Sequence, residues 1–371
     1  MSRTVALTMM VLGPLSLFLL AQSTPSSAAV PPVTQEQSDQ TTIRSDVNLV
    51  SIYFTVRDNH KSLVSDLPQG RFRVFEDGKE QPIKFFAQHS DVVLNVGLML
   101  DTGTNMRWIL NQEADASALF LRHVVRKQDL GFILGYAARV ETIQLPTPDI
   151  ALLKESVDQI RDWGTATAMP DAHPQGGTPP WSIPGSRGPS PGVGPTGQRY
   201  NEKREAHLYD ALRLGTNRYL KHEIGRKAVV VIALSGDSKS ESTLEDALDV
   251  LLENDVIAYV LQIYDPPHDR EYMDHCDVRH EYGRDEHGEQ VLKKLAEATG
   301  GRMLEVYGLD NLTAALDQIS DELHHQYSLG YYPANAVKDG KFRKIKIDAL
   351  PDGYKVFARK GYYAPKQNIG D

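Results

Sequence analysis

One run of residues constrains this chain more than any other: Val92-Val93-Leu94-Asn95-Val96-Gly97-Leu98-Met99-Leu100-Asp101, almost unbroken in its apolar character and stopped by a carboxylate. Such a run reads as a strand buried on both faces, which places it inside a parallel sheet covered by helices. An ionised carboxylate is too costly to bury without partners. Asp101 is therefore expected at the carboxyl end of the strand, where open α/β sheets bind ligands. After the turn Thr102-Gly103-Thr104-Asn105-Met106, the apolar residues Ile109, Leu110, Ala114, Ala118, Leu119, Leu121 and Val125 recur at three- and four-residue steps. That spacing predicts a helix over Arg107 to Val125.

The same rhythm continues along the chain. Leu130 to Tyr136 reads as a strand and Ile150 to Trp163 as a helix. A helix near Glu205 to His222 precedes a second buried strand, Lys227 to Asp237, which also ends beside an acid. Leu244 to Glu253 is helical, Val256 to Ile263 a strand, and Glu289 to Thr299 a helix stopped by Gly300-Gly301, a C-cap signature. Arg302 to Tyr307 and Leu309 to His325 add one more strand and helix. Strands alternating with helices predict βαβ units and a doubly wound, mostly parallel sheet. The two ends differ from this core. Val47 to Val56 and Phe72 to Phe75 alternate as strands, with a strong hairpin signal at Asp77-Gly78. In the tail, Tyr327 to Tyr332, Phe342 to Ile347 and Tyr354 to Arg359 are strand-like, and Asp339-Gly340 and Asp352-Gly353 predict hairpin turns between them. Head and tail are expected to pair as a small accessory β module, because chain termini often lie close together.

Met1-Ser2-Arg3, the apolar stretch Val5 to Ala21 and the small residues ending in Ser27-Ala28-Ala29 form the pattern of a secretory signal peptide. Gly13 and Pro14 interrupt that stretch, which is also short for a membrane span. The expected location is extracytoplasmic, periplasmic or secreted. Cys276 is the single cysteine of the 371 residues, so no internal disulfide can form. A net charge of −9 argues against nucleic acid as the main partner. The expected organisation is a signal peptide (1–29), a lead-in (30–42), an N-terminal β segment (43–90), an α/β domain (91–325), a C-terminal β segment (326–365) and a tail (366–371). Residues 164–200, rich in proline and glycine around Trp181, are read as a loop inserted in the α/β domain.

Several motifs, in order, resemble one family. Phe72-Arg73-Val74-Phe75-Glu76-Asp77-Gly78-Lys79-Glu80-Gln81-Pro82-Ile83, Gln326-Tyr327-Ser328-Leu329-Gly330-Tyr331-Tyr332-Pro333, Asp339-Gly340-Lys341-Phe342-Arg343-Lys344-Ile345 and Arg359-Lys360-Gly361-Tyr362-Tyr363-Ala364-Pro365 match the bacterial, largely acidobacterial "VWFA-related" branch of the von Willebrand factor type A domains. The helix Leu208-Tyr209-Asp210-Ala211-Leu212 resembles the family as well. The resemblance covers nearly all of the chain after the signal peptide. It implies a Rossmann-like fold and a metal-ion-dependent adhesion site, D-x-S-x-S with a distal Thr and Asp, whose oxygens hold Mg²⁺ near-octahedrally while one open position takes a partner's carboxylate.

This sequence departs from that pattern. Asp101 matches the first position, but Gly103 replaces the first Ser and Asn105 the second. Ala206 stands at the Thr position and Gly236 at the Asp position, with Asp237 next to it. Thr102 and Thr104 are hydroxyls one register off. Only Asp101, Asn105 and Asp237 remain as metal ligands, too few to bind Mg²⁺ well. No cofactor is expected. The resemblance then implies a non-enzymatic protein-binding or adhesion module with a degenerate metal site. Its binding face is Asp101, Thr102, Thr104, Asn105 and Asp237, and its partner is a protein or a cell-surface polymer. The structural alternative is that Asp101 caps the next helix or bonds loop amides. A working, divalent-metal-dependent adhesion site is the competing functional reading.

Two other chemistries have partial signatures in the sequence. Asp101-Thr102-Gly103-Thr104 spells an aspartic-protease turn, with Phe132-Ile133-Leu134-Gly135 as the downstream apolar-apolar-Gly element, but no second D-T-G exists to share a proton. The loop 264–288 carries His268, Asp269, Asp274, His275, Cys276, Asp277, His280, Asp285 and His287, a set that could ligate zinc although no standard spacing appears. His324-His325 is read as a helix terminus favoured by the dipole. The tail tyrosines are read as sheet packing.

Overall fold

The computed structural model describes residues 49–88, 92–103, 110–166, 206–234, 236–264 and 286–367. The signal peptide, Thr104, Asn105, Trp181, Cys276 and nearly all of the His/Asp-rich loop lie outside the described residues.

The apolar runs become a six-stranded sheet. Its strands are β5 (Leu94–Asp101), β6 (Leu130–Tyr136), β7 (Val140–Thr147), β8 (Arg226–Ala233), β9 (Val256–Tyr264) and β10 (Met303–Tyr307). The order is β10-β9-β8-β5-β6-β7, with every neighbouring pair parallel except β6 and β7. Every residue of β5 is buried. Side-chain alternation splits its residues between two cores. Val96, Leu98 and Leu100 pack under α1 (Leu110–Val124), α2 (Ile150–Ala166) and α6 (Leu312–His324). Met99 packs with β6 residues Phe132 and Leu134 under α3 (Leu208–Gly215), α4 (Leu244–Glu253) and α5 (Glu286–Thr299). The result is a doubly wound α/β/α arrangement. A π-helical turn, Thr216–Leu220, extends α3, and Gly300 at φ +92 ends α5.

The accessory β module is present as two four-stranded antiparallel sheets around a third core. One has the order β13-β1-β11-β4 and the other β14-β12-β2-β3. The head strands β1 (Val50–Arg57), β2 (Phe72–Glu76), β3 (Lys79–Gln81) and β4 (Phe85–Ala87) interleave with the tail strands β11 (Tyr327–Tyr331), β12 (Phe342–Ala349), β13 (Lys355–Ala358) and β14 (Gly361–Tyr363). Asp77 (φ 48) and Gly78 (φ 80) make the expected hairpin turn between Glu76 and Lys79. Both central residues need positive φ, which an added side chain disfavours by about 1 kcal/mol. Gly78→Ala is therefore expected to lower stability by about 1 kcal/mol in denaturant titration.

The tail does not form the predicted consecutive hairpins. β11 pairs with β1 and β4, β12 with β2 and β14, and β13 with β1. Gly340 (φ 68) and Gly353 (φ 115) do turn the chain, but the chain crosses from one sheet to the other each time. Packing two sheets face to face buries more apolar surface than one meander would. Strand β7 went unpredicted. It lies at the sheet edge, only partly buried along its length, so its sequence carries little periodic signal. His324 closes α6 and His325 caps it, at the helix terminus expected for the pair. Burial, with Arg126 nearby, pushes the His324 imidazole below the ordinary value, and Nε2 lies 3.2 Å from the Val124 carbonyl.

Arginines join the β module to the α/β layers. Half-buried Arg57 of β1 meets the buried Glu322 carboxylate of α6, which Arg302 also pairs with. Arg359 pairs with Asp255 and donates to the Ser51 carbonyl at 2.8 Å. Among the described residues, no helix is long and apolar enough to cross a membrane.

Candidate functional site

Strand order reverses at β5: β6 lies on one side and β8 on the other. This is the topological switch point, where the carboxyl ends of the strands open a crevice. Asp101 ends β5 there, 7% exposed. Its Oδ1 accepts the Gly103 amide at 3.0 Å, and the Thr102 amide donates to the Tyr136 carbonyl at 3.0 Å. Asp101 thus bonds a loop amide, as the structural alternative anticipated.

Asp237 follows β8. Its Oδ1 accepts the Tyr209 amide in the first turn of α3 at 3.1 Å and the Ser240 hydroxyl at 2.5 Å, while Oδ2 accepts the Ser240 amide at 3.1 Å. A second carboxylate, Asp210, holds the adjoining loop through the amides of Glu241 and Ser242 and the Ser242 hydroxyl. Burial pushes the Asp210 carboxyl up, but the Ser242 and Glu241 hydrogen bonds outweigh it and hold the group below the usual carboxylate range. Burial, with Asp237 and Glu245 nearby, pushes the Tyr209 hydroxyl up to about 12.

Two residues that the sequence did not flag join this cluster. Glu113, in the first turn of α1, is 1% exposed, and both carboxyl oxygens are buried without a hydrogen-bond partner among the described residues. Burial first, and the Asp101 charge second, push its carboxyl well above the ordinary value. Tyr136, opposite Asp101 in the β5–β6 register, donates its hydroxyl to the Ile232 carbonyl at 2.9 Å. Burial, then Asp101, Glu113 and Asp237, raise that hydroxyl well above 10. One signal for Glu113 was available: it shares the helical stripe of Ala116, Phe120 and Val124, all buried.

The described donors do not fit an octahedral cation shell. Gly103 offers no side-chain oxygen, and a Cβ there would sit 3.0 Å from Asp101 Oδ1. Ala206 is a buried methyl whose amide is bonded to the Ser238 hydroxyl. A Cβ at Gly236 would lie 2.8 Å from the Gly288 Cα, which leaves no room for the aspartate the family pattern puts there. Asp237 already spends its carboxylate on α3 and its own turn. Among the described residues, no group of three or more His, Cys, Asp or Glu side chains is placed to hold a metal. The aspartic-protease reading is corrected: Asp101 ends a parallel strand in a sheet layered with helices, not a turn in a β lobe.

No protein-family model matches the chain, and no curated protein does. Solved structures do. A von Willebrand factor type A protein from Catenulispora acidiphila is 10% identical, with 88% of this chain and 76% of that one covered and a TM-score of 0.41. By its strand order and covering helices the fold is a doubly wound, Rossmann-like α/β domain. BatB from Bacteroides thetaiotaomicron is 16% identical over 62% of this chain and 97% of its own, with a TM-score of 0.40. Proximal thread matrix protein 1 from the mussel byssus, solved with a zinc-occupied MIDAS motif, is 10% identical with a TM-score of 0.39. The alignment covers 62% of this chain and 48% of the mussel protein, so the chain spans about half of that protein's length. At these identities the likeness concerns the fold alone.

Proposed function

We propose that the chain is an exported, non-enzymatic protein-interaction module of type A fold, which engages its partner at the Asp101 face without a firmly held divalent cation. The observation that supports this most is the use made of Asp237. The one acidic candidate on the facing loop ties the first turn of α3 and the Ser240 turn, and the neighbouring position 236 has no space for a side chain. The binding face comprises Asp101, Thr102 and Asp237, with Thr104 and Asn105 from the same loop. The partner is a protein or a polymer at the cell surface, and the signal-peptide pattern of residues 1–29 supports an extracytoplasmic location.

Isothermal titration of the full chain with Mg²⁺, Mn²⁺ and Ca²⁺ tests the metal-free reading. The expected result is no binding tighter than about 1 mM, the weak end of extracellular cation sites. Tighter binding that disappears in Asp101→Asn would replace it with a working metal-dependent adhesion site.

A further inference from the structure

Charge is divided unevenly between the two parts of this chain. Residues 92–325, the α/β domain, carry 23 lysines and arginines against 36 aspartates and glutamates, a net of −13. The β-module residues 49–88 and 326–367 carry 15 against 8, a net of +7 inside a chain of net −9. Two of these arginines, Arg57 and Arg359, are engaged with Glu322 and Asp255 at the junction. The remaining excess lies on the module itself.

One end of the β sandwich joins this charge to exposed apolar side chains. Leu49 is 43% exposed, Phe85 52% and Tyr332 39%. They are contiguous. The Phe85 and Tyr332 rings meet edge to face with centroids 6.2 Å apart. Gly330, opposite Phe85 in the β11–β4 register, forms the floor: a Cβ there would lie 3.3 Å from both Leu49 Cδ1 and Phe85 Cβ. Tyr331, next to Tyr332 in the chain, reaches Glu76 of the other sheet at 2.8 Å, so the Asp77-Gly78 turn shares this end. Three exposed lysines stand here without an ion pair among the described residues. Lys84 precedes Phe85, and its amide donates to the Gly330 carbonyl at 2.8 Å. Lys79 follows the turn, and Lys344 lies beside it, its amide donating to Asp77 Oδ1 at 2.9 Å. Of the acids in β2, β3 and their turn, Glu76 is buried, Asp77 accepts that amide and Glu80 is exposed.

We propose that this end of the β module rests on the surface of an anionic phospholipid bilayer, with Leu49, Phe85 and Tyr332 at the boundary between headgroups and acyl chains and Lys79, Lys84 and Lys344 among the phosphates. A bilayer surface offers both layers of that chemistry at once, and stable peripheral binding takes two such signals, apolar and electrostatic. A protein partner fits less well: three partly exposed side chains cover far less than the about 800 Å² per partner of a stable interface. A linear polyanion would engage the lysines and leave the aromatic rings in water. The surface uses none of the residues of the Asp101 face and does not depend on the function proposed there.

Hydrogen exchange read by mass spectrometry tests this with the full chain. The probes are vesicles of about equal parts phosphatidylglycerol and phosphatidylcholine, and vesicles of phosphatidylcholine alone. A local readout separates this contact from any made by the apolar residues 5–21. The expected result is slower exchange over residues 79–88 and 328–334 with the anionic vesicles only, lost in about 1 M salt, where the screening length falls to about 3 Å. The combined variant Lys79→Gln, Lys84→Gln, Lys344→Gln is expected to need about a hundredfold more anionic lipid for half-maximal protection, at about fivefold per cation. Phe85→Ser, at an exposed position, is expected to need about tenfold more. No protection by anionic vesicles, equal protection by phosphatidylcholine alone, or protection unchanged in the lysine variant would each overturn the proposal. Protection that grows with protein concentration in the absence of vesicles would overturn it in favour of a second copy of the chain.

Discussion

Glu76→Ala is expected to destabilise the protein by about 2–5 kcal/mol, the cost of leaving two buried hydroxyls without their acceptor. Glu76 ends β2 and is 3% exposed. Its Oε2 accepts the Tyr331 hydroxyl at 2.8 Å and the Tyr362 hydroxyl at 2.9 Å. These tyrosines come from β11 and β14, which belong to different sheets, so the carboxylate bolts the two layers together. Alanine would leave both hydroxyls buried without an acceptor. Glu76→Gln keeps one acceptor oxygen and should cost less than half as much. Denaturant unfolding checks both. An alanine loss under about 1 kcal/mol would show that water replaces the carboxylate without penalty.

The same network makes a prediction at high pH. Burial first, and the bond to Glu76 second, raise the Tyr331 and Tyr362 hydroxyls well above the ordinary value near 10. A raised pKa in the folded state means that the stability these hydroxyls contribute is complete below about pH 10 and is lost as pH climbs toward the folded values. Ultraviolet titration should show both tyrosines silent in the usual range in the native protein and shifted downward in Glu76→Gln.

Glu113→Met is expected to act in the opposite direction, raising stability at pH 7 by about 1–3 kcal/mol, the usual penalty for an unsatisfied buried polar group. For a domain of this size that is a rise of several degrees in the thermal midpoint. Burial first, and the Asp101 charge second, push the native carboxyl above its ordinary value. The unfolded chain releases the Glu113 proton near pH 4.3, and the folded chain releases it higher. The folded state therefore holds more protons above pH 4.3, and stability falls as pH rises through that window. Glu113→Gln, which keeps the shape and removes the titration, should flatten the pH dependence between about 4 and 7. Thermal melts across that range check the pair. A loss of stability in Glu113→Met at neutral pH would show that the carboxyl is needed for packing around Asp101.

Much of the α/β architecture was legible because buried parallel strands must be apolar throughout. Nothing polar interrupts Val96 to Leu100 or Ala228 to Ala233, where an unpaired polar group would be left unsatisfied in the core. The helices were legible for a related reason, since each has one apolar stripe and a clear stop, as at Gly300. Edge strand β7 was not, because half-exposed positions accept polar and apolar residues alike. The tail turns were read correctly as turns and wrongly as hairpins. An Asp-Gly pair specifies local φ, whereas the partner of the following strand depends on which distant apolar face remains uncovered.

The candidate site divides in the same way. Asp101 was visible from its position at the end of an apolar run, and the replacements Gly103, Ala206 and Gly236 were visible as missing oxygens. That Asp237 serves α3, that Gly236 is crowded by Gly288, and that Glu113 lies within reach of the Asp101 charge were not.

By itself, the sequence determined the buried strands of the central sheet, the helices between them, and which end of the sheet carries the acid, because hydrophobic periodicity and turn chemistry act over a few residues. Only the tertiary structure decided the strand partners in the β module, the engagement of Asp237 and the orphaned carboxyl of Glu113. Each of these depends on groups far apart in the chain competing for the same hydrogen bonds and the same space.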